Sequence, residues 1–486
     1  MPVNYNFKRG VDLPVAHPLP FFPGGPSYHG TSNMYDGKRY IYWAVQFGST
    51  GSVSTTQLWR YDTWSHGWQY LSALTNSYTG LDMEYDSVRN VLYIIHGNST
   101  TTWQVFNLNT TAITIANVSC PAWAATTMTP VLPAGVNSGG SLTMPSDDVV
   151  PAVIDEGIAD ATGNTTTVIK ATDATGTFGL GMIGLQVRIT SGAQSGLVRA
   201  ITAVSDKNTL TVSGPLPAAL APGDTYVIEL AQGTTSAAGT TTTLVDSTTT
   251  WTTNIYTNHD VIITSGPLAG QRRRIASNTA NTLTLAAAVT GNPRTGALAS
   301  APAQGVTYRI VPSQDFLYYQ PGNNTTTLYR IDVAQTTGAA WSAALAAAPA
   351  GINGGGNTFY PSAYAPYMIV ALRGGATNNF YYYNIGLNTW TSLTTFTGAE
   401  SFNTGAGSAM LTGKRKLLVQ KEGTSRLYSL DLLTGILEPF GTIPYAPPAG
   451  YEGKRLRVIT TPDGVQFLYI LRAGGQEFFR VPLEWV

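Results

Sequence analysis

The sequence predicts an all-β chain: a β-propeller of about six blades, interrupted in its third blade by two tandem small β-barrel or sandwich domains. Three observations predict it. Only 11% of the 486 residues are charged, while 43% are hydrophobic, and the polarity comes from Thr, Ser, Asn and Gly. Thr favours strands, Gly and Asn favour turns, and few charges leave few helix-stabilising i,i+4 pairs. A strand motif recurs along the chain at a nearly constant interval. A segment of different texture, residues 157–311, carries one pattern twice.

The recurring motif is an aromatic or aliphatic strand ending in Asp or Asn. It reads Leu58-Trp59-Arg60-Tyr61-Asp62, Trp103-Gln104-Val105-Phe106-Asn107, Leu328-Tyr329-Arg330-Ile331-Asp332, Phe380-Tyr381-Tyr382-Tyr383-Asn384 and Leu427-Tyr428-Ser429-Leu430-Asp431, with Phe478-Phe479-Arg480-Val481-Pro482 closing the series. Successive last positions are 45, 225, 52, 47 and 51 residues apart, so one interval holds a blade plus a long insertion. Before each motif runs another apolar strand, such as Arg39–Val45, Val91–Ile95 or Phe467–Leu471, and after most comes a turn and a short strand, such as Trp68–Leu71, Ile113–Ile115 or Trp390–Leu393. Unbroken apolar runs mark strands covered on both faces, as the inner strands of a propeller blade are by neighbouring blades. Closure of such a ring makes the strands near 39–45 and 467–471 neighbours.

Tyr383 and Trp390 follow Ile369-Val370-Ala371-Leu372 and Gly374-Gly375, and Tyr61 to Trp68 repeats the same spacing. In this the chain resembles the kelch family, whose blade carries an apolar strand, a Gly-Gly pair, a Tyr and a Trp seven residues later. The resemblance covers about 290 residues and implies a fold; kelch-like blades serve enzymes, adaptors and structural proteins alike.

The insertion is a duplication. Val187-Arg188-Ile189-Thr190-Ser191-Gly192 returns as Val261-Ile262-Ile263-Thr264-Ser265-Gly266, Asn208-Thr209-Leu210-Thr211-Val212 as Asn281-Thr282-Leu283-Thr284-Leu285, and Thr225-Tyr226 as Thr307-Tyr308, at offsets of 74, 73 and 82. Alternation of apolar and polar residues in each copy predicts four or five short strands around a thin core. The expected division is 1–156 and 312–486 for the propeller, 157–233 for the first copy and 234–311 for the second. A module of this size is marginal alone and gains from docking on its twin or on the propeller. The tandem pattern resembles repeats in structural proteins of tailed bacteriophages.

Composition and motifs argue against chemistry. With 27 basic and 27 acidic residues the chain has no long-range pull on nucleic acid or an anionic membrane. The N-terminus has no apolar segment of a secretory signal. Cys120 is the one cysteine and is expected in a core; the five histidines, His17, His29, His66, His96 and His259, form no metal-binding spacing. Asp147-Asp148 and Asp155-Glu156 are adjacent pairs that a strand would point to opposite faces, and a solvated linker is expected there. No catalytic residue, cofactor or metal site is expected. The densest positive charge, Arg272-Arg273-Arg274, is expected to contact a neighbouring subunit.

These readings lead to an expectation of a structural subunit of a phage particle, from the tail, neck or baseplate, located in the virion and acting by assembly with other virion proteins as a symmetric oligomer or ring. The alternative is a cell-surface or secreted carbohydrate-binding or carbohydrate-active propeller. An aromatic cluster with converging acids at the propeller mouth would favour that alternative.

Overall fold

The computed structural model describes residues 17–24, 27–47, 55–75, 80–146, 153–172, 178–361, 365–393, 400–403, 406–411, 416–432, 436–443, 456–461, 465–472 and 476–483. The described chain is all-β, with a single three-residue 3-10 turn, Leu180–Met182.

Six small antiparallel sheets follow one another. The first is Ser27–Tyr35, Tyr40–Phe47, Thr55–Asp62 and Trp68–Leu74. The second runs Asp82–Asp86, Val91–Ile95, Trp103–Asn107 and Ala125–Thr127, and the third Ser141–Thr143, Phe316–Gln320 and Tyr329–Asp332. The fourth starts at Asn357–Phe359 and the fifth at Gly407–Met410, each with four strands in chain order. The sixth joins Leu456–Thr460, Gln466–Leu471 and Phe478–Pro482 to His17–Leu19 from the other end of the chain, with Pro18 paired to Phe479. Each sheet shares a buried apolar core with the next, and the sixth shares one with the first, where Ile41, Trp43 and Tyr61 meet Tyr469 and Phe478. The arrangement is propeller-like, and the pairing of the two chain ends covers what would be an open edge.

The motif strands occupy the third position of their sheets and are buried throughout in Trp103–Asn107 and Phe380–Asn384. The seven-residue Tyr-to-Trp spacing has a geometric cause: Tyr61 pairs across the ladder with Trp68, and Tyr383 with Trp390, their rings 5.0 and 5.1 Å apart. One strand is placed differently from expectation. Ile113–Ile115 leaves the second sheet to form a hairpin with Val118–Cys120, and Ala125–Thr127 takes the fourth position.

Two larger sheets lie between Ser141–Thr143 and Phe316–Gln320. The six-stranded one is ordered Val153–Ile158, Thr225–Glu229, Gln186–Ile189, Val198–Asp206, Thr209–Val212, Val168–Lys170. The seven-stranded one repeats that order as Gln232–Thr234, Thr307–Pro312, His259–Ile263, Arg272–Asn278, Thr282–Leu285, Thr243–Val245, then adds Ala237–Thr240. The duplication extends to single bonds. Ser191 Oγ accepts from the Thr225 amide at 2.7 Å, and Ser265 Oγ from the Thr307 amide at 2.8 Å. The expected breaks at 156/157, 233/234 and 311/312 fall within or beside strands, because Val153–Ile158, Gln232–Thr234 and Thr307–Pro312 each pair as units. Both sheets contribute to one continuous apolar core, which also takes in Tyr367 of the turn between the first two strands of the fourth sheet. Its phenol donates to the Ile310 carbonyl at 2.9 Å and accepts from the Ala231 amide at 3.1 Å, pinning the insert to the small-sheet body.

Candidate functional site

The first strands of five of the six sheets carry buried polar groups where their neighbours are apolar. Thr31, Ser32, Asn33, Asp82, Ser141, Thr143, Thr358 and Ser408 are all buried. Several of them bond from sheet to sheet: Ser32 Oγ donates to Asp82 Oδ1 at 2.8 Å, Asp82 Oδ2 accepts from the Leu142 amide at 2.8 Å, and Ser141 Oγ lies 2.8 Å from Thr358 Oγ1. Pairing of this kind lets polar groups line an interior axis without an unmet desolvation cost.

Glycines close one end of that axis. Gly80, Gly139 and Gly355 have φ near +80°, and a Cβ there would stand 2.1, 2.2 and 2.0 Å from the backbone oxygens of Asn137, Asn353 and Asn403, each in the next sheet. Only glycine supplies both the positive φ and the close approach.

At the other end the axis widens into a cavity of about 420 Å³ lined from all six sheets. Its rings are Tyr35, Tyr85, Phe359 and Tyr360, and its charged groups are Asp36, Glu84, Asp86 and Arg457. Asp36 and Asp86 are held by bonds within the chain. Asp36 Oδ1 accepts from the backbone amides of Lys38, Arg39 and Tyr40 at 2.8 to 3.0 Å. Asp86 accepts from Arg89 Nη1 at 2.8 Å and from the Tyr93 hydroxyl at 2.9 Å. Arg457 is lowered from its usual pKa by burial, against the pull of Glu84 and Tyr35, and its Nη1 lies 3.3 Å from Met34 Sδ. Burial pushes the Tyr35 phenol up to about 12. The arrangement suits binding of a polar ring: aromatic faces supply apolar area, and a guanidinium and phenols supply directed bonds.

Beside this cavity lies a buried ionic network. Asp315, before the second strand of the third sheet, accepts from Arg89 Nη2 at 2.5 Å and Arg274 Nη2 at 2.6 Å, and Arg294 Nη1 lies 3.2 Å away as an ion pair. Arg274 also reaches Asp332 at 2.5 Å and stacks over Phe316 at 4.3 Å. Arg272 binds Asp260 at 2.7 Å. With Asp86 the network holds four arginines against four aspartates. Burial would raise the Asp315 carboxyl, but Arg89, Arg294 and Arg274 hold it below the usual range; Asp260 is raised by burial.

The sequence-predicted triplet is thus divided. Arg272 and Arg274 project from one strand face and pair with this chain's own carboxylates, Asp260, Asp315 and Asp332. Arg273, on the other face, donates to the carbonyls of Ala297 and Arg272. The network's partners come from separate sheets, up to 226 residues apart for Arg89 and Asp315, which no spacing rule could have joined.

Cys120 is fully buried, and burial lifts its thiol to about 11. His96 and His259 are fully buried, and burial holds each down at about 4. Asp155 and Glu156 belong to a strand of the first insert sheet, not a linker; Asp147 and Asp148 lie outside the described residues, as do the side chains of His17 and His29. Among the described residues no group of three His, Cys, Asp or Glu is placed to hold a metal ion.

No protein-family model matches this chain, and no curated protein matches it. Among solved structures, a chain of "Crystal Structure of Mitotic Checkpoint Complex" is similar at a TM-score of 0.37 and 8% identity, covering 100% of both chains. What fold and site define is an all-β, propeller-like protein with an aromatic and polar cavity on its axis.

Proposed function

We propose that the six sheets are kelch-type blades of one closed propeller, and that the protein is a structural subunit of a phage particle that works through assembly. The observation that carries this reading is the ionic network. It fixes the duplicated insert to the second and third sheets through groups that are nearly all buried, so the insert is a set arm and not a tethered one. A body that holds two surfaces at a fixed angle is what a repeating particle requires of its subunits. The test is mass spectrometry of particles purified from cells that produce this chain. Its peptides are expected in constant proportion to those of the other particle proteins. A chain found only free of particles, or a purified chain that turns over a glycan, overturns the reading.

A second reading has its own observation. Tyr35, Tyr85, Phe359 and Tyr360 gather around Asp36, Glu84 and Asp86 at the axial cavity, the pattern that favours a carbohydrate-binding propeller. The commitment of Asp36 and Asp86 to backbone amides and to Arg89 supports binding over hydrolysis. The two readings combine in a particle protein that recognises a surface glycan.

A further inference from the structure

The first sheet presents aromatic rings and guanidinium groups in alternation. Arg39 lies over Trp64 at 4.9 Å and over Tyr40 at 5.2 Å, and Arg60 lies over Tyr40 at 4.3 Å and over Trp123 at 5.3 Å. The order is Trp64, Arg39, Tyr40, Arg60, Trp123, crossing from the first sheet to the second. The two end tryptophans are 62% and 42% exposed. Folding alone does not call for two large indoles in solvent.

Two features show that the chain holds these groups in place. Trp123 has φ of +51°, a left-handed backbone that bulky side chains avoid, and it is kept there by its amide bond to the Asn107 carbonyl at 2.9 Å and by its edge contact with Phe106. Arg60 is fixed by a bond from its Nε to Gln69 Oε1 at 2.7 Å, and Arg39 by its paired bonds to Asp62. Asp62 pairs with Arg39, while the Nε of Arg60 bonds a neutral amide, so among the described residues Arg60 is the ladder's guanidinium that no carboxylate pairs.

We infer that this ladder is a binding site for an anionic oligosaccharide of uronic-acid type, separate from the axial cavity. Pyranose rings offer apolar C–H faces that stack on exposed indoles, and their carboxylates accept from the guanidinium edge of Arg60. A neutral sugar would use the rings alone, and an anion without a ring would use the arginines alone. The alternating order suits a polymer that carries both at each unit. The ladder shares a side of the sheets with the cavity mouth, since Asp36 starts the turn that leads into Arg39 and Tyr40. This site deepens the glycan-binding reading but does not depend on the axial cavity.

The test is calorimetric titration of the full chain with a short oligogalacturonate and with a neutral malto-oligosaccharide of equal length. The oligogalacturonate is expected to bind, the neutral sugar about tenfold more weakly or not at all. Trp123→Ala, Trp64→Ala and Arg60→Gln should each weaken binding by about tenfold, with unchanged melting temperature because the groups are exposed or half-exposed. Trp123→Phe should restore most of the loss, and Arg426→Gln, on an exposed side chain of the fifth sheet away from both sites, should change nothing. Absence of oligogalacturonate binding, equal affinity for the neutral sugar, or full affinity in the ladder variants overturns the inference. Loss in Arg457→Gln alone would overturn it too and place the glycan in the cavity.

Discussion

Arg274 Nη2 donates to Asp315 Oδ2 at 2.6 Å, joining a strand of the second insert sheet to the third small sheet with side chains 8% and 0% exposed. Removing one member of a buried pair leaves the other charge desolvated, which costs about 3–5 kcal/mol. Arg274→Ala should therefore lower the urea-unfolding free energy by about that amount. A loss below about 1 kcal/mol, the size of an exposed pair, would show that the network is open to water.

The buried histidines set an acid response. His96 and His259 sit near 4 in the folded chain against an ordinary 6.5, so between these pH values the unfolded chain binds more protons. Stability should be full above 6.5 and fall as pH drops from 6.5 toward 4, by about 3 kcal/mol for each histidine. His259→Phe should remove about half of that slope. Urea midpoints measured across this window in both proteins check it, and identical slopes would contradict it.

Gly139 and Gly355 hold successive sheets together by backbone approach. Gly355→Ala places a Cβ 2.0 Å from the Asn403 carbonyl oxygen at φ +77°. The expected cost is about 1–3 kcal/mol from the backbone conformation, with more from the displaced neighbour. Gly423→Ala has a similar φ of +66° with open space around it and separates the two contributions. Equal melting temperatures for the two variants would remove the close-approach argument.

The proposed closure of the ring rests on Phe478, whose ring packs on Trp43, Tyr61, Trp68 and Tyr469 across the junction of the first and sixth sheets. Phe478→Ala should cost about 3–5 kcal/mol. An exposed edge on the sixth sheet would also promote self-association, visible by light scattering. A near-neutral, monomeric variant would mean that the two chain ends do not support each other.

The second and third strands of each sheet were legible because both of their faces are covered, which leaves unbroken apolar runs such as Ile369–Leu372. The first strands were not. Ser32, Asp82, Ser141, Thr143 and Thr358 line the axis and bond across it, so they read as turn residues between strands. The repeated Asn137-x-Gly139 and Asn353-x-Gly355 was the signal that could have found them. The repeated pattern within 157–311 was legible down to Ser191 and Ser265, whose hydroxyls accept equivalent bonds. The partners of Arg274 were not, because Asp315 and Asp332 reach it only through the docking of two folded units.

The assembly reading stands on an arm that does not swing. Spin labels at Ala269→Cys, exposed at the tip of a second-insert hairpin, and Ile436→Cys, 47% exposed on the fifth sheet, report it directly while buried Cys120 stays unlabelled. Pulsed dipolar spectroscopy should give one narrow distance distribution, unchanged between low salt and about 1 M NaCl because buried pairs are poorly screened. A broad or multiply peaked distribution at either salt concentration would contradict the account.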